Sequence, residues 1–224
     1  MAGSSRRSFL TRSLSIAAAL AGSHVIWPAR AQESSTRLRA NVDYRVIPPQ
    51  PVPSGDRIEV IEFFWYGCPY CYQLQPALDE WLARKPQDVA FRRVPAIFRE
   101  SWAPHARIYY TLEVLGALAR LHAAVFESYH LEQLPLNSTA SIADWAAQHG
   151  LNREQWLAIY ESADIDSKVL RSRDLTRTYS VAGTPSLVVD GRYLTSSGMT
   201  PGVRAMIPVL DGLIDLARAE HVRR

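Results

Sequence analysis

Ile58-Glu59-Val60-Ile61-Glu62-Phe63-Phe64-Trp65-Tyr66-Gly67-Cys68-Pro69-Tyr70-Cys71-Tyr72-Gln73-Leu74 is the stretch on which the reading of the fold turns. Residues 58–65 are rich in β-branched and aromatic side chains and read as a strand, bounded by Gly67. From Pro69 to Ala83 the pattern becomes helical, with Leu74, Leu78, Trp81 and Leu82 on one face. Pro69 suits a first helical turn, where its missing N–H has no partner to lose. Two cysteines thus stand where a strand gives way to a helix.

Outward from that junction, Val89 to Phe98 reads as a second strand. From about Ser101 to Val181 the pattern is helical throughout. Ser141 with Asp144 and Asn152 with Gln155 read as N-terminal caps, and Gly150 as a helix end between them. Leu112, Leu115, Leu118, Trp145 and Trp156 read as core. Strand character returns at residues 185–189, and Asp190-Gly191 predicts a hairpin turn into residues 192–195. A closing helix runs to about Ala219. Residues 32–57, with Pro48, Pro49, Pro51 and Pro53, read as an extended arm with at most an edge strand. This order predicts an α/β domain interrupted by a helical insertion.

The chain has 224 residues and 47% apolar composition, enough to build a core without disulfide staples. The formal charge of +3 is concentrated at the start: residues 1–31 hold Arg6, Arg7, Arg12 and Arg30 and no acid. The remainder carries 21 basic and 22 acidic residues, which argues against a nucleic-acid partner. Arg6-Arg7 followed by Ser8-Phe9-Leu10 has the form of a twin-arginine export motif. The apolar run Leu14–Ile26 is too short to span a bilayer, and Ala29-Arg30-Ala31 fits a cleavage site. Residues 1–31 are therefore expected to be a cleavable signal peptide, cut after Ala31, that delivers the chain to the periplasm.

The two cysteines of the chain are Cys68 and Cys71. A disulfide between them closes a tiny loop and adds little stability, so a purely structural role is a poor reason for it. The histidines beyond residue 31 (His105, His122, His130, His149, His221) show no metal-ligand spacing and read as surface or satisfied core residues. No metal and no cofactor beyond the cysteine pair is expected. The unpaired N–H groups of a first helical turn favour a thiolate at Cys68. Cys68 is therefore the expected nucleophile and Cys71, one turn further in, the resolving thiol. With a folded pKa of about 4.5 for Cys68, the reduced protein is expected to be the more stable redox form at neutral pH.

Residues 62–73, taken with Gly183-Thr184-Pro185-Ser186-Leu187-Val188-Val189-Asp190-Gly191, resemble the periplasmic DsbA family from about Tyr44 to the last helix. The resemblance implies a thioredoxin-like fold with an inserted all-helical domain. Residues 32–98 and 182–224 would form the thioredoxin-like part and residues 99–181 the insert. It implies that Pro185 is cis and beside Cys68, with Gly183, Thr184 and Pro185 aligning a substrate as an added β-strand. It further implies that Glu62 is a buried, redox-tuning acid, for which Arg93 is the expected counter-charge. Pro69 and Tyr70, between the cysteines, are the other tuning positions. Tyr70 stands where the family often has His, and Thr184 where its oxidases often have Val. The implied activity is donation of the Cys68–Cys71 disulfide to reduced exported polypeptides, by a monomer reoxidised by a DsbB-like quinone-linked membrane oxidase. The competing readings are a disulfide isomerase or reductase and, in a different class, a periplasmic peptide-binding chaperone.

Overall fold

A computed structural model describes residues 38–223, so the expected signal peptide and its cleavage site lie outside the described residues. Five strands form one sheet: β1 (Arg45–Val46), β2 (Ile58–Phe64), β3 (Val89–Pro95), β4 (Ser186–Val189) and β5 (Tyr193–Ser196). Their order is β1-β5-β4-β2-β3. Only β2 and β3 run parallel; the other neighbours are antiparallel. A parallel pair needs a crossover, and helix α1 (Pro69–Arg84) supplies it. The polar arm contributes the two-residue edge strand β1.

Every residue of β2 is buried, so both faces of the central strand are covered. Alternation sends Ile58 and Val60 to one face, against Leu74, Leu78 and Trp81 of α1. The same layer contains Leu210, Leu213 and Ala217 of the closing helix (Met206–His221). Ile61 and Phe63 point the other way, to Val94, Tyr179, Val181 and Val188. Fully burying each such aliphatic or aromatic side chain contributes about 1.5–3 kcal/mol. Trp81 also anchors α1 to the closing helix, its Nε1 donating to Asp211 Oδ1 at 2.7 Å.

Between β3 and β4 lie α2 (Ala103–Val114), α3 (Leu118–His130), α4 (Thr139–Gln148), α5 (Arg153–Tyr160) and α6 (Ala163–Thr178). The closing helix is α7. This is the α/β arrangement with a helical insertion that the element order implied. Several local expectations are corrected. The second strand ends at Pro95, not Phe98, and α6 at Thr178, not Val181. Helix α4 is capped by Ser138, whose side chain accepts from Ser141 N–H, so Ser141 is the third helical residue and not the cap. Asp144 instead meets Arg153, with Nε–Oδ1 at 3.1 Å. Leu115 and Leu118 are only partly buried. Asn152 does cap α5, accepting from Gln155 N–H at 2.8 Å. Asp190 and Gly191 both have positive φ (50° and 63°), the turn geometry that Asp-Gly favours. No described helix is long and apolar enough to cross a membrane.

Candidate functional site

The site is built where β2 ends. Trp65 C=O accepts from Cys68 N–H at 2.9 Å, turning the chain into α1, and Cys68 is the helix N-cap residue. Gly67 has a steric reason: a Cβ there would overlap the Trp65 indole, which lies over it. That indole cannot easily move, because it stacks on Trp102 with centroids 4.0 Å apart and 4° between planes. The Thr184–Pro185 peptide bond is cis, and Thr184 C=O accepts from Cys68 Sγ at 3.2 Å. Gly183 belongs to the same loop, its C=O accepting from Ser186 Oγ at 2.8 Å. Cys68, Thr184 and Pro185, 116 residues apart in sequence, therefore share one corner. Tyr70 projects outward and is 55% exposed.

The two thiols differ in environment. Cys68 retains slight exposure and Cys71 is fully buried. The Cys68 pKa is lowered to about 6, first by hydrogen bonding from the Cys71 thiol. Burial opposes this; the Thr184 side chain and the N–H groups of Cys71 and Tyr70 add to the lowering. The value lies above the expected 4.5, with burial working against the thiolate. The Cys71 pKa is pushed well above the ordinary thiol range by burial, and by the neighbouring Cys68 and Glu62.

Beneath Cys71 lies a closed polar ring. Glu62 is 0% exposed, and its Oε2 accepts from Arg93 Nε at 2.8 Å. Its Oε1 accepts from Gln75 Nε2 at 3.1 Å. The same Gln75 nitrogen reaches Cys71 C=O at 3.3 Å, and Gln75 Oε1 accepts from Arg93 Nη2 at 3.3 Å. Burial raises the Glu62 pKa, and the Arg93 charge and both hydrogen bonds pull it back. Gln75 is the residue that sequence reasoning missed. Its spacing of four from Cys71 on a helix was the available clue.

The opposite side of the corner is aromatic. Tyr66 Oη meets His122 Nδ1 at 2.8 Å, and His130 Nε2 meets Tyr66 C=O at 2.8 Å. His105 and His122 depart from the expectation of satisfied core histidines: His105 Nδ1 and His122 Nε2 are buried without a hydrogen-bond partner. Burial lowers both pKa values, that of His105 to about 4. Among the described residues no three potential metal-ligating side chains converge.

Comparison with known proteins gives a consistent picture. A family model described as a DSBA-like thioredoxin domain matches residues 93–208. The thiol:disulfide interchange protein DsbA of Pseudomonas syringae pv. tomato is 35% identical over 93% of this chain and 97% of its own. That of Pseudomonas aeruginosa is 37% identical over 76% and 81% respectively. The crystal structure of Pseudomonas aeruginosa DsbA superimposes with a TM-score of 0.79 at 35% identity, covering 83% of this chain and 97% of that one. The Xylella fastidiosa oxidoreductase DsbA gives 0.73 at 32% identity, over 79% and 96%.

Proposed function

This chain belongs to the DsbA family of thiol–disulfide oxidoreductases, and from that premise we propose that Cys68 and Cys71 form the disulfide it donates to exported polypeptides. A client thiolate attacks Cys68 Sγ, the slightly exposed sulfur, and the Cys68–Cys71 bond breaks. Cys71 takes the electron pair and, with its raised pKa, a proton. A second client thiolate then attacks the client sulfur of the mixed disulfide. Cys68 departs as a thiolate, the client is oxidised and the pair is left reduced. A low leaving-group pKa speeds this step, and the depressed Cys68 value suits it. The observation that carries the reading is the placement of Cys68 at the N-terminus of α1, its Sγ 3.2 Å from the Thr184 carbonyl before cis Pro185, with Cys71 buried behind it.

Glu62, Arg93 and Gln75 tune the pair from below; Pro69 and Tyr70 do so from between the cysteines. Gly183, Thr184 and Pro185 align the client. Residues 32–98 and 182–224 form the thioredoxin-like domain and residues 99–181 its helical insert. The chain is exported, cleaved after Ala31, and works as a periplasmic monomer reoxidised by a DsbB-like quinone-linked membrane enzyme. The test is oxidation of a reduced dithiol peptide by the oxidised protein, with its reduction potential measured in the same preparation. Failure to oxidise the peptide despite a formed Cys68–Cys71 disulfide would overturn this reading. A potential near that of reductases would turn it towards the reductase or isomerase alternative.

A further inference from the structure

A recess of about 410 Å³ lies between the segment joining β3 to α2 and the C-terminal end of α6. Its walls include Ile97, Phe98, Arg99, Arg173, Arg177 and Val181. Three of its lining residues are arginines and one, Glu100, is an acid, a surplus of two positive charges. The partners these cations have are weak ones. Arg173 Nη2 lies 2.5 Å from Glu100, but that carboxylate is 80% exposed. Arg177 pairs with Asp174 on the same helix, both well exposed. The Arg99 side chain makes no hydrogen bond or ion pair among the described residues, its backbone C=O alone accepting from Trp102 N–H at 3.0 Å.

Two links join the walls of the recess to the cysteine corner, one along the chain and one through stacked rings. Val181 stands three residues before Thr184 in the loop that meets Cys68, at most about 10 Å away along an extended chain. Phe98 packs on Trp102 (5.1 Å), which stacks on Trp65 (4.0 Å), whose carbonyl holds the Cys68 N–H. An extended client segment lying along residues 181–184, with its cysteine at Cys68, directs alternate side chains towards this recess. The apolar wall of Ile97, Phe98 and Val181 reduces solvent screening, and guanidinium forks match carboxylate geometry.

The geometry points to the recess as a second recognition site for the client, taking a carboxylate side chain two to four residues from the client cysteine. It rests on disulfide donation at Cys68 and adds a preference for acidic clients. The oxidised protein is mixed with reduced dithiol peptides that differ only in Asp, Ser or Lys, placed about three residues before or after the attacking cysteine. On one of the two sides the Asp peptide is oxidised faster than the Lys peptide by about three- to tenfold at low salt, the range for one or two partly exposed ion pairs. High salt collapses the ratio. Replacing Arg99 and Arg177 together by Ser brings it near one, leaves the Ser-peptide rate and reduction by dithiothreitol unchanged, and Arg177→Glu lowers it further. An equal ratio in the wild type, or a ratio untouched by these substitutions, overturns the recess as a recognition site while donation stands. Absence of Ser-peptide oxidation in the wild type overturns donation itself, and the recess proposal with it.

Discussion

Glu62 and Arg93 are direct neighbours in the parallel register of β2 and β3, with Arg93 Nε 2.8 Å from the fully buried Glu62 carboxylate. The Arg93 side chain is itself only 17% exposed. Its second acidic contact, Asp79 at 3.6 Å, is mostly in solvent. Arg93→Met therefore strands the Glu62 charge and is expected to cost about 3–5 kcal/mol at pH 7. The double variant Glu62→Leu/Arg93→Met is expected to recover most of that loss, since apolar replacement of a buried pair is often neutral or stabilising. Urea unfolding of the oxidised forms checks this; a double variant no better than the single one would show that the pair is not electrostatically coupled.

The raised Glu62 pKa carries a sign. A carboxyl whose folded pKa exceeds its unfolded value binds its proton more tightly in the native state, so stability falls as pH rises from the unfolded pKa towards the folded one. The stability of Glu62→Gln relative to wild type should therefore rise as pH increases from about 4 upward. A pH-independent difference would mean that Glu62 titrates alike in both states.

Cys68 has the opposite sign. Its depressed pKa contributes stability to the reduced form that is complete above the unfolded value of about 8.5. That contribution is lost as pH falls through the folded value of about 6. The reduced form should gain on the oxidised form between those limits and keep a constant offset in more acid solution. At pKa about 6 the neutral-pH advantage expected for a value of 4.5 disappears, so the two forms should be closely matched near pH 7. Alkylation of the reduced protein should follow a single thiolate with a midpoint near 6, with Cys71 silent. A midpoint above 8 contradicts the assignment.

Cys71→Ser should accumulate mixed disulfides with exported polypeptides, because the bond formed at Cys68 then has no resolving thiol. Cys68→Ser should trap almost none, since Cys71 is fully buried. Equal trapping by the two variants, read on non-reducing gels, would reverse the roles.

Gly67→Ala should destabilise by about 1–3 kcal/mol, because the added methyl overlaps the Trp65 ring held against Trp102. It should also slow peptide oxidation by displacing the start of α1. Trp65→Phe, which removes the offending ring atoms, should lessen the penalty in a double-mutant cycle. Additive costs would place the strain elsewhere.

The local grammar of this protein was legible in its sequence. A β-rich run closed by Gly67, a proline in a first helical turn and two cysteines one turn apart identify the strand–helix junction, because these patterns depend only on neighbouring residues. Resemblance added the distant loop at Pro185 and the buried acid at Glu62, and the position of Arg93 on the second strand made it the expected counter-charge. Tertiary structure decided what crosses between elements. Gln75 joins Glu62, Arg93 and the Cys71 carbonyl only because α1 lies over that face of β2 and β3. The cap of α4 fell to Ser138 because its hydroxyl accepts the Ser141 N–H, while the Ser141 hydroxyl accepts the Ser138 N–H in return, a reciprocal box that fixes Ser138 as the residue before the helix. His105 and His122 became buried because helices α2 and α3 of the insert, which carry them, turn those faces inward. The thiolate at Cys68 is weaker than a helix N-terminus alone implies, because burial opposes the charge that the Cys71 thiol and the backbone stabilise. Pattern along a chain reports what each residue prefers; the distances and dielectric that set chemistry exist only after the elements have packed.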